Sequence, residues 1–226
     1  MRRRTMSKNF SQFAVIGLGR FGSAVAKKLF ALGKDVMVVD NDEDKINEIE
    51  SEVTHAIVAD ASEPNVLKSI GIGNFDCVII CTGGDFEASV MATIICKELG
   101  VQHIVAKAHS DIHKQVLSKI GADMVIFPEK DMGVKLATML VNPNMLDTMD
   151  INDSFQLAEI KTPKAWAESK LNELNLRRKY GLNVIFIKCQ DGTVIVTPGP
   201  ETILHAEDGL VICGSKHDIA RVVQDI

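Results

Sequence analysis

Short, unbroken apolar runs recur through the first two-thirds of the chain, at Phe13–Ile16, Val36–Val39, His55–Val58, Cys77–Cys81, His103–Ala106 and Met124–Phe127. Runs of that length, rich in β-branched residues, predict buried strands. Between them, Val25–Leu32, Ala88–Leu99 and Ile112–Ile120 carry their apolar residues at helical spacing. Strand–helix alternation predicts a parallel sheet with helices on both faces, because parallel neighbours need crossover connections. Gly33, Gly100 and Gly121 each follow a helical run, where a left-handed residue ends a helix. The expected fold class is α/β, a doubly wound Rossmann-type domain.

The pattern changes after Val141-Asn142-Pro143-Asn144, where proline disfavours helix in the residue before it and asparagine favours turns. Beyond it, Phe155–Ile160, Val184–Lys188, Thr193–Thr197 and Leu210–Gly214 read as strands, with Gln190-Asp191-Gly192 as a hairpin turn. Leu171–Leu176 and His217–Val223 read as helices. The expected organisation is a flexible tail over 1–12, a Rossmann domain over 13–142, a linker over 143–150 and a small α+β domain over 151–226.

The sharpest local feature is Gly17-Leu18-Gly19-Arg20-Phe21-Gly22, directly after the first strand, with Asp40 ending the second strand about 20 residues on. In that context Gly17 permits a tight turn, Gly19 lets backbone approach a pyrophosphate, and Gly22 allows close packing of helix on sheet. The helix start offers free N–H groups and partial positive charge to phosphates. Asp40 is placed to accept from ribose hydroxyls, and Asp42 and Glu43 add negative charge that argues against a 2′-phosphate. Arg20 departs from a generic dehydrogenase fingerprint, since a cation beside the turn can recognise a terminal phosphate. Because ligands of such sheets sit beyond the carboxyl ends of the strands, Asp60-Ala61-Ser62, Thr82-Gly83-Gly84 and Lys107 are further candidates.

Composition narrows the classes. The 226 residues carry 25 Lys and Arg against 30 Asp and Glu, a net charge of −5, so nucleic-acid binding is not expected. Arg2-Arg3-Arg4 reads as a solvated terminus. No apolar run approaches the ~20 residues of a membrane span, and no signal peptide is evident. The five cysteines form no CxxC pair and suit reduced thiols in a cytosol. No catalytic constellation is evident: there is no GxSxG elbow and no GK[ST] after the glycine turn. His109 and His113 stand four apart but lack a third metal ligand at sensible spacing. Binding without turnover is the expected activity. A small NAD-dependent oxidoreductase, an NAD(H)-sensing regulator of the Trk type and a redox-sensing transcription factor are the alternatives, the last without an evident DNA-binding element.

Phe13-Ala14-Val15-Ile16-Gly17-Leu18-Gly19-Arg20-Phe21-Gly22, Phe127-Pro128-Glu129-Lys130-Asp131-Met132-Gly133 and Leu176-Arg177-Arg178-Lys179-Tyr180-Gly181-Leu182-Asn183 together resemble the RCK family, regulators of potassium conductance. Within it they resemble the cytosolic Ktr subunits of the KtrA and KtrC type. That resemblance implies an N-terminal RCK domain that binds ATP or ADP, dimerises, and assembles into a homo-octameric ring on a membrane-embedded, KtrB- or KtrD-like potassium-transporting subunit. The chain would then act from the cytoplasmic face of the membrane through its partner. Arg20 matches the arginine that senses the γ-phosphate, and Glu129 a carboxylate that binds a divalent or monovalent cation at the dimer interface. The C-terminal RCK domain of the family binds inhibitory cyclic di-AMP, with Arg177 matching a phosphate-contacting arginine and Asn183 its companion asparagine. Pro198 lies near the expected ligand-facing strand, and Gly199-Pro200 leaves its alignment open.

Overall fold

The computed structural model describes residues 10–82, 84–142 and 144–224, and the chain divides into two compact units, parting between Lys130 and Asp131. In the first unit, β1 (Gln12–Ile16), β2 (Asp35–Asp40), β3 (His55–Val58), β4 (Cys77–Ile80), β5 (His103–Lys107) and β6 (Met124–Ile126) form one sheet in the order β3-β2-β1-β4-β5-β6. Every pairing in it is parallel. The connections include helices α1 (Arg20–Ala31), α2 (Glu43–Ile49), α3 (Pro64–Ser69), α4 (Phe86–Glu98) and α5 (Asp111–Ile120). This is the doubly wound Rossmann-type sheet that the apolar runs predict.

The period-2 alternation of the strands divides their side chains between two cores. Ala14, Ile16, Val39, Val78, Ile80 and Ile104 pack into one cluster, and Val15, Val36, Val38, Cys77 and Ile79 into the other. Burial on both faces is why the central strands read as unbroken runs, with all four residues of β4 buried. Gly33, Gly100 and Gly121 take positive φ just beyond α1, α4 and α5, and the Gly121 N–H closes α5 on the Leu117 carbonyl.

The second unit is a small α+β domain on an antiparallel sheet. Its order is β10-β9-β11-β8-β7, built from β7 (Met145–Asp150), β8 (Phe155–Lys161), β9 (Asn183–Lys188), β10 (Val194–Ile195) and β11 (Gly209–Ser215). Trp166, Leu182, Ile187, Leu204, Leu210, Ile212 and Ile219 form its core, with helix α9 (Lys216–Gln224) contributing Ile219, Val222 and Val223. The β9–β10 hairpin turns at Asp191-Gly192, where Gly192 has φ +85° and the Asp191 carboxylate accepts from the Thr193 N–H at 2.8 Å.

Four expectations change here. Residues 145–150, expected within a linker, are strand β7, paired with β8 at the sheet edge. Only Met145 of β7 is buried, so its sequence carries little strand signal. The boundary expected after 142 comes instead after Lys130, inside helix α6 (Pro128–Val141), and the tail expected to reach residue 12 gives way to β1 at Gln12. The single helix expected over Leu171–Leu176 is two short ones, α7 (Leu171–Leu174) and α8 (Leu176–Tyr180), broken at Asn175 with φ +48°. Asparagine is among the few non-glycine residues that adopt this conformation readily.

Candidate functional site

A cavity of about 810 Å³ opens at the carboxyl ends of the parallel strands, where β1 gives way to α1. The glycine turn shapes one wall, and its three glycines differ in what constrains them. Gly17 has φ +93°, and a Cβ there would stand 2.8 Å from the Cys81 carbonyl carbon. A Cβ on Gly22 would lie 2.0 Å from the Gly17 oxygen, so α1 can approach the strand end only with glycine at that position. A Cβ on Gly19 meets nothing within 4 Å, and Gly19 lines the cavity. Gly19 is also the N-cap of α1, with no side-chain cap and no acidic residue in the first helical turn. The free N–H groups of that turn are therefore left to a ligand, and an anion is the partner they favour.

Asp40, 9% exposed, ends β2 on the same wall. Its carboxylate accepts from the Leu18 N–H at 2.6 Å and the Asp42 N–H at 3.0 Å, and Lys45 Nζ approaches to 3.5 Å. The carboxylate thus holds the glycine turn in place, with lone pairs left for a hydroxyl donor. Asp42, expected in the site, is absent from the cavity lining: its side chain caps α2 on the Asp44 N–H, and Lys45, paired at 3.2 Å, holds its carboxyl below the usual range. Lys45 lines the cavity in its stead. The electrostatic argument against a 2′-phosphate loses Asp42 and meets a lysine.

Beyond β3, Asp60 and the buried Ala61 line the cavity. One Asp60 oxygen accepts from both the N–H and the hydroxyl of Ser62, which holds its carboxyl low. After β4, the Thr82 hydroxyl is buried with no hydrogen-bond partner, and Thr82 lines the cavity. A polar atom left so is costly until something supplies its bond, so its position fits a polar ligand. Gly83, also expected here, lies outside the described residues. Asp85 and Ala88 of α4 complete that wall, Asp85 capping the helix on the Ala88 N–H at 2.9 Å.

At the far end, Lys107 and Glu129 form an ion pair at 2.5 Å, both lining the cavity, and Lys107 holds the Glu129 carboxyl below its usual range. Lys107 Nζ also lies 5.8 Å from the centre of the Phe21 ring. Arg20 is the exception among the cavity's cations. Lys45 and Lys107 are paired internally, whereas Arg20 is exposed and makes no ion pair among the described residues. It is the charge most available to an incoming phosphate. A metal ion would find one carboxylate at Glu129, already engaged by Lys107, and among the described residues no group of three His, Cys, Asp or Glu stands ready to hold one.

A second, shallower cavity of about 250 Å³ lies in the C-terminal unit, between α7, α8 and the start of β9. Arg177 and Asn183, which the resemblance singles out, both line it and both are exposed. Burial pushes the Cys77, Cys81 and Cys96 thiols up to about 12, so they are inert packing groups.

Of the residues expected in the nucleotide site, Gly17, Gly19, Arg20, Phe21, Gly22, Asp40, Asp60, Ala61, Thr82 and Lys107 meet in one cavity, and Glu129, expected as a cation ligand at a dimer interface, lines the same cavity. Lys45 and Asp85 were missed. Asp85 carried a usable signal, an acid at a helix N-cap just past a buried strand, while Lys45 reads from sequence as an ordinary surface lysine of α2.

The chain matches the TrkA-N domain over residues 13–128 and the TrkA-C domain over residues 156–225. It is 44% identical over 210 residues to Ktr system potassium uptake protein C of Bacillus subtilis (strain 168), covering 93% of this chain and 95% of that protein. It is 33% identical over 221 residues to Ktr system potassium uptake protein A of Vibrio alginolyticus, covering 98% and 100%. The RCK domain of GsuK superposes with a TM-score of 0.65 at 19% identity, over 97% of this chain and 48% of that one. GsuK bound to ADP aligns with a TM-score of 0.50 at 26% identity, over 57% of this chain and 33% of that one.

Proposed function

The chain belongs to the family of proteins that pair a TrkA-N domain with a TrkA-C domain, and we propose that it is the nucleotide-sensing regulatory subunit of a Ktr-type potassium transporter. It binds ATP and ADP in the cavity at the glycine turn and carries out no chemistry on them. The observation that carries this reading is the combination in one cavity of an uncapped helix start, Asp40 behind the turn, and Arg20, a cation with no ion pair among the described residues. The proteins it resembles over more than nine-tenths of its length are named for potassium uptake, and a GsuK structure holds ADP. No helix among the described residues is long and apolar enough to cross a membrane. In this reading the ion path belongs to a membrane-embedded partner.

The mechanism follows from differential binding. ATP and ADP share their adenosine contacts, and shared contacts cannot shift an equilibrium between two conformations. The γ-phosphate is what differs, and Arg20, with any cation at Glu129, is what meets it. Couplings of about 1–3 kcal/mol per site are typical, and identical sites in a ring sum them into a sharp response. Cyclic di-AMP at Arg177 and Asn183 acts as the inhibitory ligand. A two-fold interface between C-terminal domains would suit its symmetry, because each subunit presents the same surface.

Calorimetric titration of the purified protein with ATP, ADP, NADH and cyclic di-AMP tests the reading. Binding of ATP and ADP, together with cyclic di-AMP binding that Arg177→Ala abolishes, is expected. A preference for NADH with no cyclic di-AMP signal would move the assignment to an NAD(H)-binding protein.

A further inference from the structure

Behind the cavity wall two imidazoles meet. His109, in the loop after β5, and His113, in the first turn of α5, bring their Nδ1 atoms to 2.8 Å. Their ring centroids are 4.3 Å apart, and the Phe86 ring lies against both, at 4.9 Å from His113 and 6.4 Å from His109. At that N–N distance the contact is a hydrogen bond, so one of the two facing nitrogens carries a proton and the other does not. His109 is exposed, whereas His113 is 1% exposed.

Several features oppose a charge on His113. Burial pulls it below the usual imidazole range, and His109 acts in the same direction. Its place in the first turn of α5, at the positive end of the helix dipole, adds to this. Its Nε2 is buried with no partner, and so is the hydroxyl of Ser89, three residues after Phe86 on the same face of α4. The contact is therefore held by the shared proton and the Phe86 packing, with the His113 Nε2 left unsatisfied.

The elements that carry the pair also build the nucleotide cavity. Asp85, the N-cap of α4, and Ala88, in its first turn, line it on either side of Phe86, and so does Lys107, two residues before His109. The other charged groups around the pair are engaged or solvated. Asp85 caps α4, Asp111 holds Lys130 at 2.7 Å, and Glu87 of α4 and Lys114 of α5 are exposed.

We propose that the His109–His113 pair is a proton-operated catch on the nucleotide cavity. With a single proton between the facing nitrogens, the pair and Phe86 tie the start of α5 to the start of α4. When both rings are protonated, two N–H groups and two positive charges oppose one another, the contact opens, and Asp85, Ala88 and Lys107 lose their fixed positions. The unfolded chain takes up the His113 proton before the folded one does, so the stabilisation is complete above about pH 6.5. It is lost as the pH falls from there through the depressed value of folded His113. Nucleotide affinity falls over the same window. This inference rests on the cavity being a nucleotide site.

The experiment compares the full-length protein with His109→Gln, an exposed position where the amide still donates to His113 but cannot become charged. ATP titrations run at pH 7.5 and 5.5, and since the same ligand serves both proteins, its own protonation cancels. Imidazole ¹⁵N NMR follows the two rings across that range. Wild type should lose at least about fivefold more affinity than H109Q on acidification, the lower end of ordinary couplings. NMR should show coupled rings, with the Asp85 and Phe86 amide signals moving as they titrate. Matching pH profiles in the two proteins, or rings that titrate independently, would overturn the catch. If ATP fails to bind at pH 7.5, the functional reading of the cavity falls, and the NMR titration judges the catch by itself.

Discussion

Gly19 and Gly22 stand three residues apart in one turn, and a single methyl group added to each should have opposite consequences. At Gly22 the methyl would stand 2.0 Å from the Gly17 oxygen and 3.3 Å from the Cys81 Cβ. The first neighbour is backbone and cannot rotate away, so α1 or the β1 end must move by more than 1 Å. Overpacking of this kind costs about 1–3 kcal/mol, which corresponds to a fall of roughly 2–12 °C in Tm. At Gly19 the methyl meets nothing within 4 Å, and the backbone, at φ −72° and ψ 178°, suits any residue. Stability of Gly19→Ala should stay within about 1 kcal/mol of wild type, the scale of an N-cap change. The same methyl projects into the space where a phosphate would take the first N–H groups of α1. Losing one hydrogen bond to a charged group, at about 1.5–3 kcal/mol, should weaken ATP and ADP binding about tenfold to 150-fold. Thermal unfolding and calorimetry on both variants decide the matter. A Gly19→Ala protein that folds normally and binds ATP with wild-type affinity would refute the placement of phosphates on this turn.

Three further outcomes are expected. Arg20→Ala should leave Tm almost unchanged, because the side chain is exposed and makes no ion pair among the described residues, yet reduce ATP affinity about tenfold to a hundredfold while ADP loses much less; equal losses for the two nucleotides would count against γ-phosphate sensing. Asp40→Asn places an amide N–H against one of the N–H groups of Leu18 and Asp42, and should cost about 1.5–3 kcal/mol in denaturant unfolding as well as affinity; an unchanged midpoint would remove Asp40 from its role in holding the turn. Arg177→Ala should abolish cyclic di-AMP binding in calorimetry with ATP binding intact, and a variant that still binds cyclic di-AMP would empty the second cavity of its proposed ligand.

The first domain was legible because its central strands are buried on both faces. Runs such as Cys77-Val78-Ile79-Ile80, alternating with helical segments, fit a parallel sheet with helices above and below. The strand–turn–helix spacing by itself places Gly17, Gly19, Gly22 and Asp40 together. What spacing does not separate is a carboxylate that faces a ligand from one that caps a helix: Asp40 and Asp42 stand two residues apart, and only the first lines the cavity. Lys45 was missed because its approach to Asp40 depends on how the start of α2 is laid down. In the second domain the signal is weaker for physical reasons. An edge strand buries one residue and lacks alternation, so Met145–Asp150 passed for a linker. The break at Asn175 is a left-handed residue whose side chain also tolerates helix. The His109–His113 bond joins a loop residue to a helix residue, and sequence gives their spacing but not the direction of their rings.

Potassium flux tests the central claim most directly. The membrane-embedded transport subunit is reconstituted in vesicles, the purified protein is added outside, and potassium entry is followed in ATP, in ADP and without nucleotide. The account expects ATP to raise flux above ADP, Arg20→Ala to erase that difference, and cyclic di-AMP to lower flux only while Arg177 is present. Flux that is identical in ATP and ADP, with both nucleotides shown to be bound, would contradict it.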